Sequence, residues 1–276
     1  MSVRWRRQGI LPGFGLTLGY STTYVSLLVV LPLMALVARA ASLGVGELWR
    51  IATDARAIAA YRVSFGTALA GATVNLVFGV VVAWVLVRYD FRGRGLVNGL
   101  IDLPFALPTA VAGVCLTAVY SSDGPIGSLV EPYGLRVAFS PLGIAVALTF
   151  VGLPFVVRTV QPVLEELDEE VEEAAATLGA TGWQTFACVL LPALLPAALT
   201  GFALALARAL GEYGSVVFIS GNMPMKTEVA PVLIVAKLEQ YDYGGATALA
   251  AVMLGASFAL LLSVNLVQRW TRRGAE

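Results

Sequence analysis

Seven acids crowd into residues 165–173: Glu165, Glu166, Asp168, Glu169, Glu170, Glu172 and Glu173. Carboxylates do acid–base chemistry when their surroundings push their pKa values apart, and no two of these sit in an apolar pocket. The chain has no histidine, which removes the commonest general base and metal ligand. Cys115 and Cys188 lie in separate apolar contexts and make neither a disulfide framework nor a zinc site. No GxxxxGK[ST] phosphate loop occurs, so ATP must bind elsewhere. The residue types therefore argue against catalysis and for recognition: a polar island that faces water or a protein. One further pair stands out, Arg208 and Glu212, four residues apart in an apolar run. Either charge alone near mid-bilayer would cost several kcal/mol. Together they read as a structural ion pair, or as positive potential for a passing anion with Glu212 tuning it.

The elements that must position these groups are apolar. The 276 residues are 58% hydrophobic and 13% charged, with mean hydropathy +0.81. Soluble domains carry about 25% charged residues. The composition implies an all-α, polytopic membrane bundle of about six helices, forming one domain over residues 1–276. Net charge is zero, so no overall field points to nucleic acid. Spans are expected at about Phe14–Ala38, Ser64–Val87, Leu100–Tyr120, Leu142–Val160, Pro196–Ile219 and Ala246–Val267. The first is too long for a signal-peptide core. Arg39–Arg62 reads as a loop with some amphipathic helix, and Val229–Leu238 as a re-entrant or interfacial piece. Pro104 and Pro108 open the third span; they mark either a bend lining a pathway or an ordinary kink. Asn75, in the second span, either bonds across helices or faces the pathway. Asp102 reads as solvated or capping, and Asn222, Lys226 and Glu228 as an outer polar loop or a contact for a soluble partner.

Six spans put both termini on one side. With the termini inside, inner segments hold ten basic residues and outer loops seven, which favours cytoplasmic termini.

Within the island, Leu164, Leu167, Val171, Ala174/Ala175 and Leu178 recur at helical spacing. They predict an amphipathic helix over Glu165–Leu178, started by Pro162 and ended by Gly179. Thr181 and Gln184 form a capping-box pattern for a second helix, Gly182–Leu190, stopped by Leu191-Pro192. Its apolar face, Trp183, Phe186 and Leu190, is the expected contact for a protein partner.

Glu173-Ala174-Ala175, three residues, Gly179, nine residues, then Val189-Leu190-Leu191-Pro192 resembles the EAA loop of ABC-importer permeases, EAA-x3-G-x9-I-x-LP, with valine for isoleucine. LPGFGLTLGYSTTY, DLPFALPTAVAG, PFVVRTVQPVLEEL, ARALGEYGSVVFISGN and KTEV extend the likeness to the T-type permease subunit of sulfate/thiosulfate importers. The resemblance implies a type I importer permease fold in the bacterial cytoplasmic membrane, with a cytoplasmic coupling loop at about 161–195. It implies that Glu173, Ala174, Ala175, Gly179, Thr181, Trp183, Phe186, Leu190, Leu191 and Pro192 couple to an ABC ATPase dimer. It also implies a W-type second permease and an extracytoplasmic sulfate/thiosulfate-binding protein. ATP and magnesium would belong to the ATPase, with no cofactor in this chain. Arg208, Glu212, Asn75, Pro104 and Pro108 are the candidate pathway residues. A molybdate/tungstate permease and a standalone secondary anion transporter are the alternatives.

Overall fold

A long helix, α6 (Pro141–Glu166), forms the axis of the bundle. It starts cleanly because Ser140 Oγ accepts the Leu142 and Gly143 amides and Pro141 opens the first turn. Helix α3 (Ala55–Arg88) packs along one side of it and α8 (Gly182–Leu210) along another. The three meet at Val156, which is fully buried. A Cβ on Gly79 would lie 2.7 Å from Val156 Cγ1, and one on Gly201 2.7 Å from Val156 Cα. Lipid tails supply no hydrophobic drive between helices, so this close backbone approach is what holds the centre. The computed structural model describes residues 13–273, with the side chains of Glu169 and 267–273 outside the description. Of the basic residues in the topology count, Arg4, Arg6 and Arg7 therefore lie outside the described residues, as do the side chains of Arg269, Arg272 and Arg273.

Among the described residues every regular element is helical. Five helices among the described residues are long and apolar enough to cross a membrane, and a bent pair taken as one span makes a sixth. Besides the three central helices these are α1 (Phe14–Ser42) and α11 (Tyr243–Arg273). The pair is α4 (Arg94–Ala106) and α5 (Thr109–Tyr120), which meet at 116° across Leu107 and Pro108. An ordinary proline kink is far smaller, so the expected third span is two half-helices. Pro104 sits inside α4, and Pro108 is the N-cap of α5. Asp54 caps α3 through the Arg56 amide, so this helix starts nine residues before the expected Ser64. The loop expected at Arg39–Arg62 is therefore mostly helical, including α2 (Val45–Ala52). Helix α10 (Ala230–Glu239) packs on α11, where Ala57, Ala60, Leu233, Leu249 and Met253 form a second core. Only Ala40 of α1 is buried, so most of that helix is exposed around the bundle.

Three expected boundaries move. The fifth span does not start at Pro196: α8 is continuous from Gly182, and Pro196 lies in its interior. Leu191-Pro192 does not stop the short helix either. Pro192 has no amide to give Cys188, and the preceding turn widens instead, with the Leu191 N–H reaching Phe186 O. The same device precedes Pro32, where the Leu31 N–H reaches Ser26 O. Finally, Pro162 starts nothing. Helix α6 runs through it to Glu166, because one more turn buries Leu164 completely.

Candidate coupling loop and pathway

The acidic segment breaks where α6 ends. Leu167 is extended, and a new helix, α7 (Glu169–Thr177), follows Asp168. The single helix expected over Glu165–Leu178 is thus two pieces, and its apolar stripe is split. Leu164 belongs to the bundle core, whereas Val171 is 46% and Leu178 88% exposed. Arg88, from the end of α3, spans the break. Its Nε donates to Glu172 Oε1 at 2.7 Å and its Nη2 to Leu167 O at 2.9 Å. The side chain is 9% exposed, so this charge-assisted pairing is shielded from solvent.

The corner after α7 forms as the local pattern dictates. Gly179 takes φ +85°, a region that costs side-chain-bearing residues steric strain. Its N–H donates to Ala176 O at 2.9 Å, and the Ala180 N–H to Ala175 O at 3.1 Å. This is a Schellman motif that occupies the last carbonyls of α7. Thr181 then caps α8. The Gln184 N–H donates to Thr181 Oγ1 at 3.4 Å, and the Thr181 N–H to Gln184 Oε1 at 2.8 Å. Glu173, Ala174 and Gly179 stand exposed, with Ala175 half-buried.

The expected contact face does not stay together. Leu190 is 3% exposed and lies in the core. Phe186 turns onto Trp84 of α3, with ring centroids 6.0 Å apart. Trp183 stacks on Phe186 at 5.8 Å yet remains 75% exposed. The outward apolar surface is therefore Leu178 and Trp183, flanked by Val171 and Leu191, with Pro192 exposed beside them. Phe186 and Leu190 hold the helix to its own bundle.

Further along α8, Arg208 and Glu212 do pair, as their spacing suggests. They do not share a helix, because α8 ends at Leu210 and a short helix, α9, begins at Gly214 (Gly214–Ile219). Glu212 lies in the break. Its Oε1 accepts the Ser215 N–H at 2.8 Å and the Ser215 hydroxyl at 2.9 Å, and the side chain is 1% exposed. Arg208 lies in the last turn of α8, where a cation complements the helix dipole. Its side chain is 35% exposed. The acid is sealed and the cation half open, which leaves guanidinium N–H groups for an anion arriving from the open side.

The break in α8–α9 adjoins the one in α4–α5. A Cβ on Gly214 would meet Thr109 Oγ1, and one on Gly113 would lie 2.5 Å from Ser215 O. Pro108, Gly211 and Tyr213 are exposed there. Pro104 lies one turn earlier and half-buried. Asn75 is elsewhere. It is completely buried between α3 and α6, where a Cβ on Gly152 would lie 2.4 Å from its Nδ2. Neither polar atom of its amide has a hydrogen-bond partner. It neither faces the surface nor bonds across helices.

Two ion pairs go beyond expectation. Asp102 is partly solvated, its side chain 47% exposed, but Arg158 of α6 also binds it twice, at 2.6 and 2.8 Å. The same guanidinium donates to Asn98 Oδ1, Asn98 O and Gln161 Oε1. Glu228 is not an outer contact: it is 4% exposed and holds Arg56 of α3 through two hydrogen bonds at 2.7 and 2.8 Å. Residues 75–275 match the family described as binding-protein-dependent transport system inner membrane component.

The chain belongs to this family.

Relatives are similar over nearly the whole length. The sulfate transport system permease protein CysT of Synechocystis sp. is 54% identical over 91% of this chain and 88% of the relative. That of Escherichia coli is 49% identical over 96% of both. Of the solved structures, a bacterial alginate ABC transporter chain superposes with TM-score 0.76 at 16% identity, covering 92% of this chain and 93% of that one. A chain of the MetNI methionine ABC transporter gives 0.54 at 18% identity, over 87% and 98%. These likenesses make the fold that of an ABC-importer permease. The family match begins at Asn75, inside α3, and takes in the loop and both broken spans. It leaves out α1, the least buried of the five long apolar helices.

Proposed function

We propose that this chain is the membrane-spanning permease subunit of an ATP-driven sulfate importer, with thiosulfate as a second substrate. The observation that carries the reading is the identity of about half the residues, over nine-tenths of the chain, to proteins named as sulfate permeases. Those names do not favour the molybdate/tungstate or standalone-transporter alternatives. In this reading the surface around Leu178 and Trp183 enters a cleft of an ATPase subunit on the cytoplasmic side. Glu173, Ala174, Ala175, Gly179, Thr181, Leu191 and Pro192 shape that surface, while Phe186 and Leu190 hold it to the bundle. Both termini then lie in the cytoplasm, and a W-type partner encloses the pathway. Sulfate arrives from an extracytoplasmic binding protein, while ATP and magnesium are held by the ATPase. Open backbone at membrane depth is tolerated only inside protein or along a water-filled cavity. The exposed break at Pro108, Gly211 and Tyr213 therefore belongs to the pathway or the partner interface. Arg208 there meets the dianion, and Glu212 weakens its hold so that the ion can leave. Asn75, being enclosed, has no place on this path.

The test is uptake of radiolabelled sulfate into proteoliposomes holding the chain, its second permease and the ATPase, with the binding protein added. Uptake should require ATP, the ATPase and the binding protein, and unlabelled thiosulfate should compete better than molybdate. Uptake by the chain alone, or stronger competition by molybdate, would sink the reading.

A further inference from the structure

Helix α3 carries an arginine clamp near each end. At one end Arg88 holds Glu172 and Leu167 O, and Trp84 one turn earlier holds Phe186. Both parts of the coupling loop are thus fastened to α3. At the other end Arg56 holds Glu228 through two hydrogen bonds. Eight residues along, Ser64 Oγ accepts the Ala230 N–H at 2.7 Å. The segment just before α10 is thereby stitched to α3 at two points. Its other side, with Met223, Met225 and Lys226, stays exposed.

The geometry between the clamps is stiff. Helix α3 runs 34 residues with no proline. The 32 steps from Arg56 to Arg88 span about 48 Å at 1.5 Å per residue, more than the 40–45 Å of a whole bilayer. The clamps therefore sit at opposite membrane surfaces. In contrast, α8 widens at residues 186–190, the span formed by α4 and α5 is bent, and α6 contains Pro154 and Pro162.

We propose that α3 is a rod that makes the coupling loop and the outer 223–230 segment move together, with Arg88 and Arg56 as positioning residues at its ends. The proposal rests on the importer reading above. Docking of the loaded binding protein on the outer segment would reach the ATPase through this helix, and ATP-driven movement of the loop would return the same way. Because coupling between sites is reciprocal for binding, breaking either clamp weakens signals in both directions.

The experiment uses the whole complex in nanodiscs and reads ATPase activity with and without sulfate-loaded binding protein. Arg56→Gln and Glu228→Gln should each cut the stimulation at least about fivefold, the low end for coupling between sites, with basal activity unchanged. Arg56→Lys, which keeps the charge but not the two-bonded geometry, should fall between. The swap Arg56→Glu with Glu228→Arg should restore most of the stimulation. Arg88→Gln should also cut it, and Arg56→Gln with Arg88→Gln should be no worse than the poorer single variant. Sites this far apart are otherwise additive, so losses that multiply would overturn the rod. So would full stimulation in Arg56→Gln, or a swap that restores nothing. A wild-type complex that sulfate-loaded binding protein fails to stimulate would instead overturn the importer reading.

Discussion

The corner at Gly179 can be tested as a matter of conformation alone. A Cβ built there meets nothing within 4 Å, so a substitution creates no clash within the chain. What it creates is strain at φ +85°, about 1–2 kcal/mol for a residue with a Cβ. The corner is held by two backbone hydrogen bonds, from Gly179 to Ala176 and from Ala180 to Ala175. Each contributes roughly 0.5–1.5 kcal/mol net, so the strain nearly cancels them. One to two kcal/mol lowers the population of the formed corner by a factor of about 5–30. Asparagine tolerates this region. Gly179→Asn should therefore keep most sulfate uptake, Gly179→Ala should lose much of it, and Gly179→Val, stiffened by its branch, should lose the most. The assay compares uptake in proteoliposomes with retention of the ATPase on purified permease, at equal membrane insertion. Wild-type behaviour of Gly179→Val would refute the conformational argument. So would a Gly179→Asn variant as impaired as the valine, since bare space at the partner surface would then be the requirement.

Three further outcomes follow from particular side chains. Asn75→Leu removes two buried, unpaired polar atoms and should raise thermal stability in detergent by about 1–3 kcal/mol; a fall would mean that the amide finds a partner in the folded protein. Asp102→Asn and Arg158→Gln should each destabilise, Asp102→Asn by no more than about 1 kcal/mol because its side chain is half exposed, and a double-mutant cycle should return a coupling energy of about 0.5 kcal/mol, whereas additive losses would make the pair incidental. The Asp242 carboxylate is held below its usual range by Lys237 Nζ and the Gly245 N–H. A depressed folded-state pKa adds stability above the unfolded value of about 4 that is lost as pH falls through the folded value. The stability gap between wild type and Asp242→Asn should therefore narrow on acidification, and a gap that widens would reverse the assignment.

Features that depend on a few neighbouring residues were legible in the sequence. The Thr181–Gln184 box and the Gly179 corner need only residues within one turn, and both form as written. Helical spacing likewise located α7 and the start of α8. It could not say which residues the chain itself would cover. Trp183, Phe186 and Leu190 have the right period, but Trp84, about 100 residues earlier, decides that Phe186 turns inward. The break at Leu167 is equally long-range, because Arg88 occupies the carbonyl exposed there. Arg88, Arg158 and Arg56 were visible only as topology charges, since a basic residue at a span end is expected whether or not it has a partner. Leu191-Pro192 misled for a local reason. Proline suits both a stop and a start, and a widened turn lets one helix pass through it.

The two broken spans and the Arg208–Glu212 ion pair belong to a single arrangement. A continuous fifth span would place Arg208 and Glu212 on one face, and neutralising them would be their whole role. Ending α8 at Leu210 gives the charges different settings. Arg208 sits where a helix C-terminus favours a cation, while Glu212 satisfies Ser215 at the start of the next segment. Each charge is thus partly stabilised by backbone, and the pair need not be closed on itself to survive in lipid. The broken ends themselves need shelter, and α5 supplies part of it through the close contacts of Gly113 with Ser215 and of Gly214 with Thr109. That packing is possible only because α4 and α5 also part at Leu107–Pro108, which lets α5 lie against α9 instead of continuing along α6. The proline pair and the charged pair, far apart in sequence, are therefore conditions of one arrangement, in which Arg208 is the half-open charge and Glu212 the sealed one.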